Sequence, residues 1–481
     1  MENYDLTIIG GGSAGLVLAV AGAKLGKKTA LIEKHRIGGD CLWTGCVPSK
    51  ALLKAAKVAN YIQNADKYGI STNKTKSNWQ RVMDYVRSTQ HVIEDEHDNP
   101  ERFREMGVDV IFGDGHFEAR NTFVVEDKEN GQTRQLNSKR YVISTGSRPL
   151  APPIPGLEEC NYLDSENVWE LEELPERLLV IGAGPIGIEL GQAFHRLGSK
   201  VTIAQRSDRI LTKEDADVSD KMQQYLSDEG IDIRLNIDIT KVEKHENGVK
   251  VSLSDSSSTD SNEINIEVFD KILVAAGRAP NIEGLGLENI GVKIGKNGIV
   301  VNDQLQTHVK NIYAAGDVIG HYQFTHVAAF QAQLLVRNFL LPFQKKIDYS
   351  VVPWTTFCDP EMARCGLTEL QARAQYGDVD VFRLEQKDVD RAVAEGETLG
   401  FSKVIATKWR GKIVGVHLVG TSAGEVIHEY VLAMQEGIPL RKLGGMMHVY
   451  PTYSTSVWRV GAKWLSEGSL VKSLRKIVGA G

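Results

Sequence analysis

Two stretches of the chain repeat one hydrophobic pattern: an apolar strand, a glycine-punctuated turn, an apolar helix and a second apolar strand. In the first, Leu6-Thr7-Ile8-Ile9 runs through GGGSAG (Gly10 to Gly15) into a helix over Leu16 to Ala23, and a strand from Thr29 to Ile32 ends at Glu33. In the second, Leu178 to Ile181 runs through GAGPIG (Gly182 to Gly187) into an amphipathic helix reaching Leu197, followed by the strand Lys200 to Ala204. Continuous apolar runs of strand length, each followed by a helix, predict buried parallel strands and an α/β architecture. Between the copies lie a helical pattern over 79–106, short strands, Tyr141 to Gly146, and a proline-rich crossing from Pro149 to Pro155 that reads as a domain linker. The polar run Ser254 to Asn262 predicts an exposed hairpin loop. Two strand-then-glycine segments follow, Ile272 to Gly277 and Ile312 to Gly316. From about Tyr349 the pattern changes to strands at Lys403–Thr407 and Ile413–Val419 and a helix over Ala423–Gln435, which predicts a separate α+β domain.

The two turns carry the first chemistry. Gly10, Gly12 and Gly15 fit G-x-G-x-x-G, with Ser13 and Ala14 opening the helix, so backbone N–H groups and the helix N-terminus are placed to hold a pyrophosphate. Glu33, with Lys34 beside it, stands where an acid accepts from a ribose 2′-hydroxyl. Gly182, Gly184, Pro185, Ile186 and Gly187 repeat the turn, and two such units imply two dinucleotides. The second unit has Gln205, Arg206 and Arg209 where an acid would stand in an NAD site. Arginines there suit a 2′-phosphate, so NADPH is expected with NADH as the alternative; the competing reading is a solvated basic turn.

Length and composition narrow the class. A chain of 481 residues with 42% apolar and 25% charged content is an ordinary globular protein of several domains. Its net charge of −6 gives no nucleic-acid footprint. Five cysteines are too few for a disulfide scaffold, which points to a reducing compartment and a cytoplasmic location; Cys160, Cys358 and Cys365 show no framework spacing. No signal peptide or membrane-length apolar run is apparent, and no metal-ligand set. The basic, amphipathic tail (466–481, after Arg459 and Lys463) reads as a solvated helix face in preference to a membrane contact.

The remaining chemistry sits in GGDCLWTGCVPSK, Gly38 to Lys50. Cys46 directly precedes a Val-Pro-Ser-Lys run that starts a helical pattern, so it lies at the positive end of a helix dipole, where a thiolate is stabilised and made nucleophilic. Redox chemistry is favoured over two core cysteines or half of a zinc site, since no second cysteine pair or histidine pair follows.

Taken together these motifs resemble the flavoprotein disulfide reductases of the pyridine nucleotide class, the family of glutathione reductase, dihydrolipoamide dehydrogenase and mercuric reductase. GGDCLWTGCVPSK is similar to the family's GGTCxNxGCxPSK. ISTGSRP, with Thr145 and Gly146, is similar to ATGSxP; VAAGRAPN, with Gly277 and Arg278, to GRxPN; IYAAGDV, with Asp317, to AxGD; and FCDPEMARCGLTE to the start of the dimerisation domain. The resemblance covers roughly residues 4–465. It implies two dinucleotide-binding Rossmann-like domains and a C-terminal α+β dimerisation domain: 1–150 for FAD with the redox pair (Gly39 and Asp40 included), 151–275 for NAD(P), 276–345 returning to the FAD domain, 346–465 for dimerisation and 466–481 as the tail. It implies FAD on the first glycine turn, with Asp317 near its ribityl chain, and a homodimer. By the same carry-over Cys46 faces the flavin, Cys41 is the interchange thiol, and Lys50 and Glu189 pair at the flavin edge. Electrons would pass from NADPH through FAD to a Cys41–Cys46 disulfide and on to an unidentified small-molecule or metal-ion acceptor.

Three departures set the expectations. Asp40 stands in place of threonine and is expected to oppose ionisation of Cys41. Cys358 and Cys365 are expected to be buried thiols. In the C-terminal segment the family places a His–Glu dyad that acts as acid and base at the opposite subunit's site; here MMHVYPTYSTS puts Tyr450 at the histidine and Thr455 at the glutamate, with His448 two residues early. Mercuric reductases also have tyrosine there but add a terminal cysteine pair that this chain lacks. Alternatives are a metal-ion or quinone reductase and a non-catalytic FAD-binding subunit; intact Cys41, Cys46, Lys50 and Glu189 argue against the last.

Overall fold

The computed structural model describes residues 1–73, 76–257 and 264–478. Its largest sheet has eight strands and takes its parallel core from Val108–Ala119, Thr29–Glu33, Leu6–Ile9, Tyr141–Ile143 and Ile312–Ala314, in that order. Ile8 pairs with Leu31 on one side and Val142 on the other, and all three are fully buried, as continuous apolar runs require. A second sheet of four parallel strands holds Asp232–Arg234, Lys200–Ala204, Arg177–Ile181 and Lys271–Val274. The third is a five-stranded antiparallel sheet, Pro353–Thr356, Glu361–Gly366, Ile413–Gly420, Phe401–Thr407 and Val379–Glu385, backed by helix Ala423–Gln435.

The helical pattern over 79–106 divides into helix Trp79–Ile93, a π turn Glu94–Asp98 and helix Pro100–Glu105. Pro100 cannot continue a helix through its own N–H, so it begins a new one, with Asn99 accepting from the Glu101 N–H (2.9 Å) as its cap. The expected Ser254–Asn262 loop joins antiparallel strands Gly248–Asp255 and Ile264–Phe269, and residues 258–262 of it lie outside the described residues. No helix among the described residues is long and apolar enough to cross a membrane.

The helix that starts at Cys46 runs to Gln63 and buries Ala51, Leu52 and Ala56 in one core with Ile188 and Phe194 of helix Pro185–Leu197. That packing joins the redox stretch to the second glycine unit and sets Lys50 opposite Glu189. Further out, Lys403 lies buried among Asp215 (3.2 Å), Asp217 (2.9 Å) and Glu369 (3.0 Å), and the Trp354 indole N–H donates to Glu214 (2.8 Å). These contacts tie the segment after Arg209 to the third sheet.

Of the basic residues expected to form a solvated tail face, Arg459 pairs with Asp390 (2.8 Å) and Lys463 donates to the Arg383 carbonyl (2.8 Å). Both are engaged by the antiparallel-sheet region, whose surface they complete. Ser469–Val478 forms the last helix, with Leu470 packed against the antiparallel-sheet core of Val404, Tyr430 and Trp464. Arg475 and Lys476 have undescribed side chains.

Candidate active site

Both glycine turns have the same construction. Gly10 and Gly182 have φ of +107° and +103°, in the region glycine occupies without strain. A Cβ on Gly15 or Gly187 would lie 2.0 Å from the carbonyl oxygen of Gly10 or Gly182, so the third glycine of each motif is required for the helix to approach the strand. By contrast a Cβ on Gly12 or Gly184 would meet nothing within 4 Å, and neither helix that follows has a side-chain cap. Uncapped first-turn N–H groups facing open space fit a pyrophosphate in both places. Ser13 and Ala14 form the first turn of one helix, and Pro185 and Ile186 that of the other.

Around the first turn the groups fit FAD. The buried Glu33 carboxylate ends its strand, accepting from the N–H groups of Gly11 (2.7 Å) and His35 (2.7 Å). Asp317 accepts from the Ser147 hydroxyl (2.7 Å), and burial raises its pKa. Thr145 donates its hydroxyl to the Asn281 carbonyl (2.6 Å), and Gly146 turns with φ +72°. Lys34 points away from this cradle to Asp114 (3.0 Å). At the second turn Gln205 accepts from the Ala183 N–H (2.9 Å), while Arg206 reaches Asp238 (3.1 Å) from an exposed position and Arg209 donates to the Thr212 carbonyl (3.3 Å).

The redox stretch leans directly on the first turn. Gly38 donates its N–H to the Gly11 carbonyl (2.9 Å), and a Cβ on Gly39 would lie 2.9 Å from Gly12 Cα. Cys41 is half-buried and Cys46 exposed, and both are thiols in this structure. Cys46 is the first residue of its helix, and its sulfur lies 3.2 Å from the Thr325 hydroxyl. The hydrogen bond from Cys41, then that from Thr325 and the positive charge of Lys50, lower the Cys46 pKa to about 6; the same Cys46 sulfur and its own burial raise that of Cys41. Lys50 Nζ donates to Glu189 (2.9 Å) and lies 4.4 Å from the centre of the Phe357 ring, whose residue donates its N–H to the other Glu189 oxygen (2.9 Å).

Asp40 does not act on Cys41 in the way the sequence suggests. Its carboxylate accepts from the Arg278 guanidinium, brought in from a distant part of the chain, and from the Thr44 hydroxyl of its own loop, so its charge is answered by Arg278. Arg278 also donates to the Ser147 hydroxyl (2.8 Å) and carbonyl (3.0 Å), which links the redox loop to the Asp317 site. Thr325 carries no motif signal of its own; Ser147 and Phe357 lie inside the ISTGSRP and FCDPEMARCGLTE stretches, but only these contacts give them a part in the site.

In the C-terminal segment Tyr450 is exposed, and a hydrogen bond to Asp390 raises its pKa. His448 turns inward instead: its side chain is 8% exposed, with Nε2 3.1 Å from Glu429 and Nδ1 3.3 Å from the Met446 carbonyl. Thr455 donates its hydroxyl to the Thr452 carbonyl (2.5 Å) and begins helix Thr455–Glu467. Cys358 and Cys365 are buried, the former with its pKa raised well above the ordinary thiol value by burial.

Two dinucleotide cradles flanking a Cys41–Cys46 pair define a class, and the comparisons place the chain in it. Residues 4–332 match the pyridine nucleotide-disulphide oxidoreductase family and residues 352–460 match that family's dimerisation domain, so the chain belongs to this family. Its members use FAD and NAD(P)H, and the dimerisation match indicates a homodimer. Among curated relatives, the mercuric reductase of Staphylococcus aureus is 37% identical over 451 residues, 94% of this chain and 80% of that protein. The dihydrolipoyl dehydrogenase of Bacillus subtilis is 34% identical over 475 residues, 94% and 96% of the two chains. A solved structure of the HOCl-induced flavoprotein disulfide reductase RclA of Escherichia coli, as a Cu(II) complex, superposes with a TM-score of 0.85 at 29% identity, covering 96% of this chain and 99% of that one.

Proposed function

We propose that this oxidoreductase draws on NADPH to reduce the Cys41–Cys46 pair, and that the pair passes its electrons to a soft metal ion. The observation that carries the reading is the arrangement around Cys46: a helix-start thiol lowered to about 6, with Cys41 as its hydrogen-bond donor and Lys50 behind it. Bound FAD supplies the two-electron relay between the nicotinamide and the cysteines. Gly10, Gly12, Gly15, Glu33 and Asp317 would hold it, and Gly182, Gly184, Gly187, Gln205, Arg206 and Arg209 the NADPH. Residues 1–150 and 276–345 would act as the FAD unit, 151–275 as the NADPH unit and 346–465 as the dimerisation unit.

The acceptor is argued from proton supply. Reducing an organic disulfide releases a thiolate that needs a proton, and a histidine cycling near neutral pH is the usual donor. Tyr450 stands in that place, and its raised pKa makes it a weaker acid still. A soft metal ion needs no such donor and favours thiolate ligands. The reduced pair, held as thiolates on the metal, gives up two electrons and re-forms its S–S bond. One Hg(II) takes both, or two Cu(II) take one each, and the thiol protons go to water. Relatives named for mercuric ion and a fold neighbour solved with Cu(II) are consistent with this class. His448, tied to Glu429 and Met446, is a clip for the segment. In steady-state assays with a soft metal ion, His448→Ala is expected to leave turnover within a few-fold of wild type, whereas Tyr450→Phe lowers it by removing a hydroxyl from the acceptor site. Rapid reduction of glutathione disulfide or lipoamide, lost in His448→Ala, would overturn the reading.

Cofactor choice gives a second outcome. NADPH is expected to be preferred, each charged hydrogen bond to the 2′-phosphate contributing about 1.5–3 kcal/mol. Arg206→Glu should flatten or reverse the ratio of kcat/KM for the two cofactors. Equal values for NADPH and NADH in the unmodified enzyme would contradict the assignment.

A further inference from the structure

On the face formed by the ends of helices Ser13–Lys24 and Thr325–Leu340, the fold leaves apolar side chains in water inside a rim of positive charge. The two helices bound a cleft of about 250 Å³ lined by Leu18, Leu25, Val336, Phe339 and Leu340 together with Lys27, Lys139 and Arg140. Leu25 and Leu340 are 41% and 48% exposed, and the turn that follows carries Leu341 at 47% and Phe343 at 81%.

This turn is built rather than loose. Asn338, 3% exposed, donates its side-chain amide to the Lys345 carbonyl (2.8 Å) and accepts from the Lys345 N–H (2.8 Å). Gln344 donates to the Asn338 carbonyl (2.9 Å), and Arg337 to that of Phe343 (3.0 Å). Four hydrogen bonds therefore hold the backbone so that Phe343 projects outward. A phenylalanine fixed in water forgoes a burial that the rest of the chain gives most of its large apolar side chains, and exposed apolar side chains grouped within one ordered turn, beginning at the cleft residue Leu340, mark a contact surface.

The charge beside the patch selects the partner. Lys24, Lys27, Arg140 and Lys345 join Lys139, paired with Asp5 (2.7 Å), and Lys346, paired with Asp303 (3.2 Å); Lys28 lies over the Tyr4 ring and Asp348 is the acid near Lys345. Positive charge is in excess here on a chain whose net charge is −6. A second copy seated on the same face would set lysines against lysines, and the matched dimerisation region, 352–460, lies elsewhere in the sequence. Apolar side chains at the centre with lysines around them suit the boundary between acyl chains and anionic headgroups.

We propose that this face docks the enzyme on an anionic lipid bilayer, with Phe343, Leu341 and Leu340 entering the acyl boundary and the lysines meeting lipid phosphates. The FAD-loaded dimer is floated with vesicles of phosphatidylcholine containing phosphatidylglycerol, and with vesicles of phosphatidylcholine alone. It is expected to float with the first and remain in solution with the second. The pair Lys27→Glu and Lys345→Glu should lower the bound fraction by about tenfold or more, an effect that added salt reproduces in the wild type. Phe343→Ser should lower it by about tenfold as well. Both variants should retain wild-type turnover and flavin content, which separates loss of docking from loss of fold. Failure to float with the anionic vesicles would overturn the proposal. So would binding that both variants leave intact, binding lost instead on removing residues 469–481, or a higher oligomer that Phe343→Ser returns to dimers without any change in flotation.

Discussion

Replacing Cys46 by serine is expected to remove turnover toward every acceptor that depends on the cysteine pair, by about three orders of magnitude or more, as loss of an essential nucleophile does. It should also remove the long-wavelength absorbance that a thiolate gives against oxidised flavin. Cys41→Ser should keep that absorbance without any reductant, because the remaining thiol already stands at the helix start. The pH dependence follows from the same contacts. The Cys46 thiol ordinarily titrates near 9, and in the fold it is lowered to about 6 by Cys41, Thr325 and Lys50. The thiolate is therefore present above about pH 6 and is lost as pH falls through that value, so an absorbance titration of the two-electron-reduced enzyme should show its midpoint there. A midpoint near 9, or a band that survives in Cys46→Ser, would show that the two thiols have been assigned the wrong roles.

The second large effect is expected at Glu189. Its carboxylate is 8% exposed and accepts from Lys50 on one oxygen and from the Phe357 N–H on the other. Glu189→Ala removes both acceptors and leaves the Lys50 ammonium facing the Phe357 ring. Breaking a buried ion pair costs about 3–5 kcal/mol, and because Lys50 is 38% exposed the lower end of that range applies. Thermal unfolding should therefore show a midpoint several degrees below wild type. A sharper readout is the sign of the change at Cys46. Glu189 raises the Cys46 pKa and Lys50 lowers it, so Glu189→Gln should move the absorbance midpoint below about 6, and Lys50→Met should move it above. Shifts in the same direction for both variants would mean that the pair acts only through packing.

These residues also show what the linear chain reveals. The glycine turns and the helix start at Cys46 were readable because each depends on neighbours within a few residues: a strand, a turn, a helix N-terminus. The partners that tune Cys46 and Asp40 were not, since Thr325 is 279 residues from Cys46 and Arg278 is 238 residues from Asp40. Asp40 alone suggests a charge opposing a thiolate, and only the folded loop reveals the guanidinium that answers it. His448 followed the same course. In the chain it lies two residues before the aligned Tyr450, and only the fold shows that Glu429 on helix Ala423–Gln435 turns it inward. Composition could not separate the bound cations Arg459 and Lys463 from free ones, because their partners lie on Asp390 and the Arg383 carbonyl.

The proposal that electrons leave the Cys41–Cys46 pair for a soft metal ion is tested most directly by reoxidation of the enzyme after anaerobic reduction with one equivalent of NADPH. In stopped flow, Hg(II) or Cu(II) should restore the oxidised spectrum within a few turnover times. Glutathione disulfide, lipoamide and a water-soluble quinone should each do so far more slowly. Fast reoxidation by one of those three, with the metal ions slow, would contradict it.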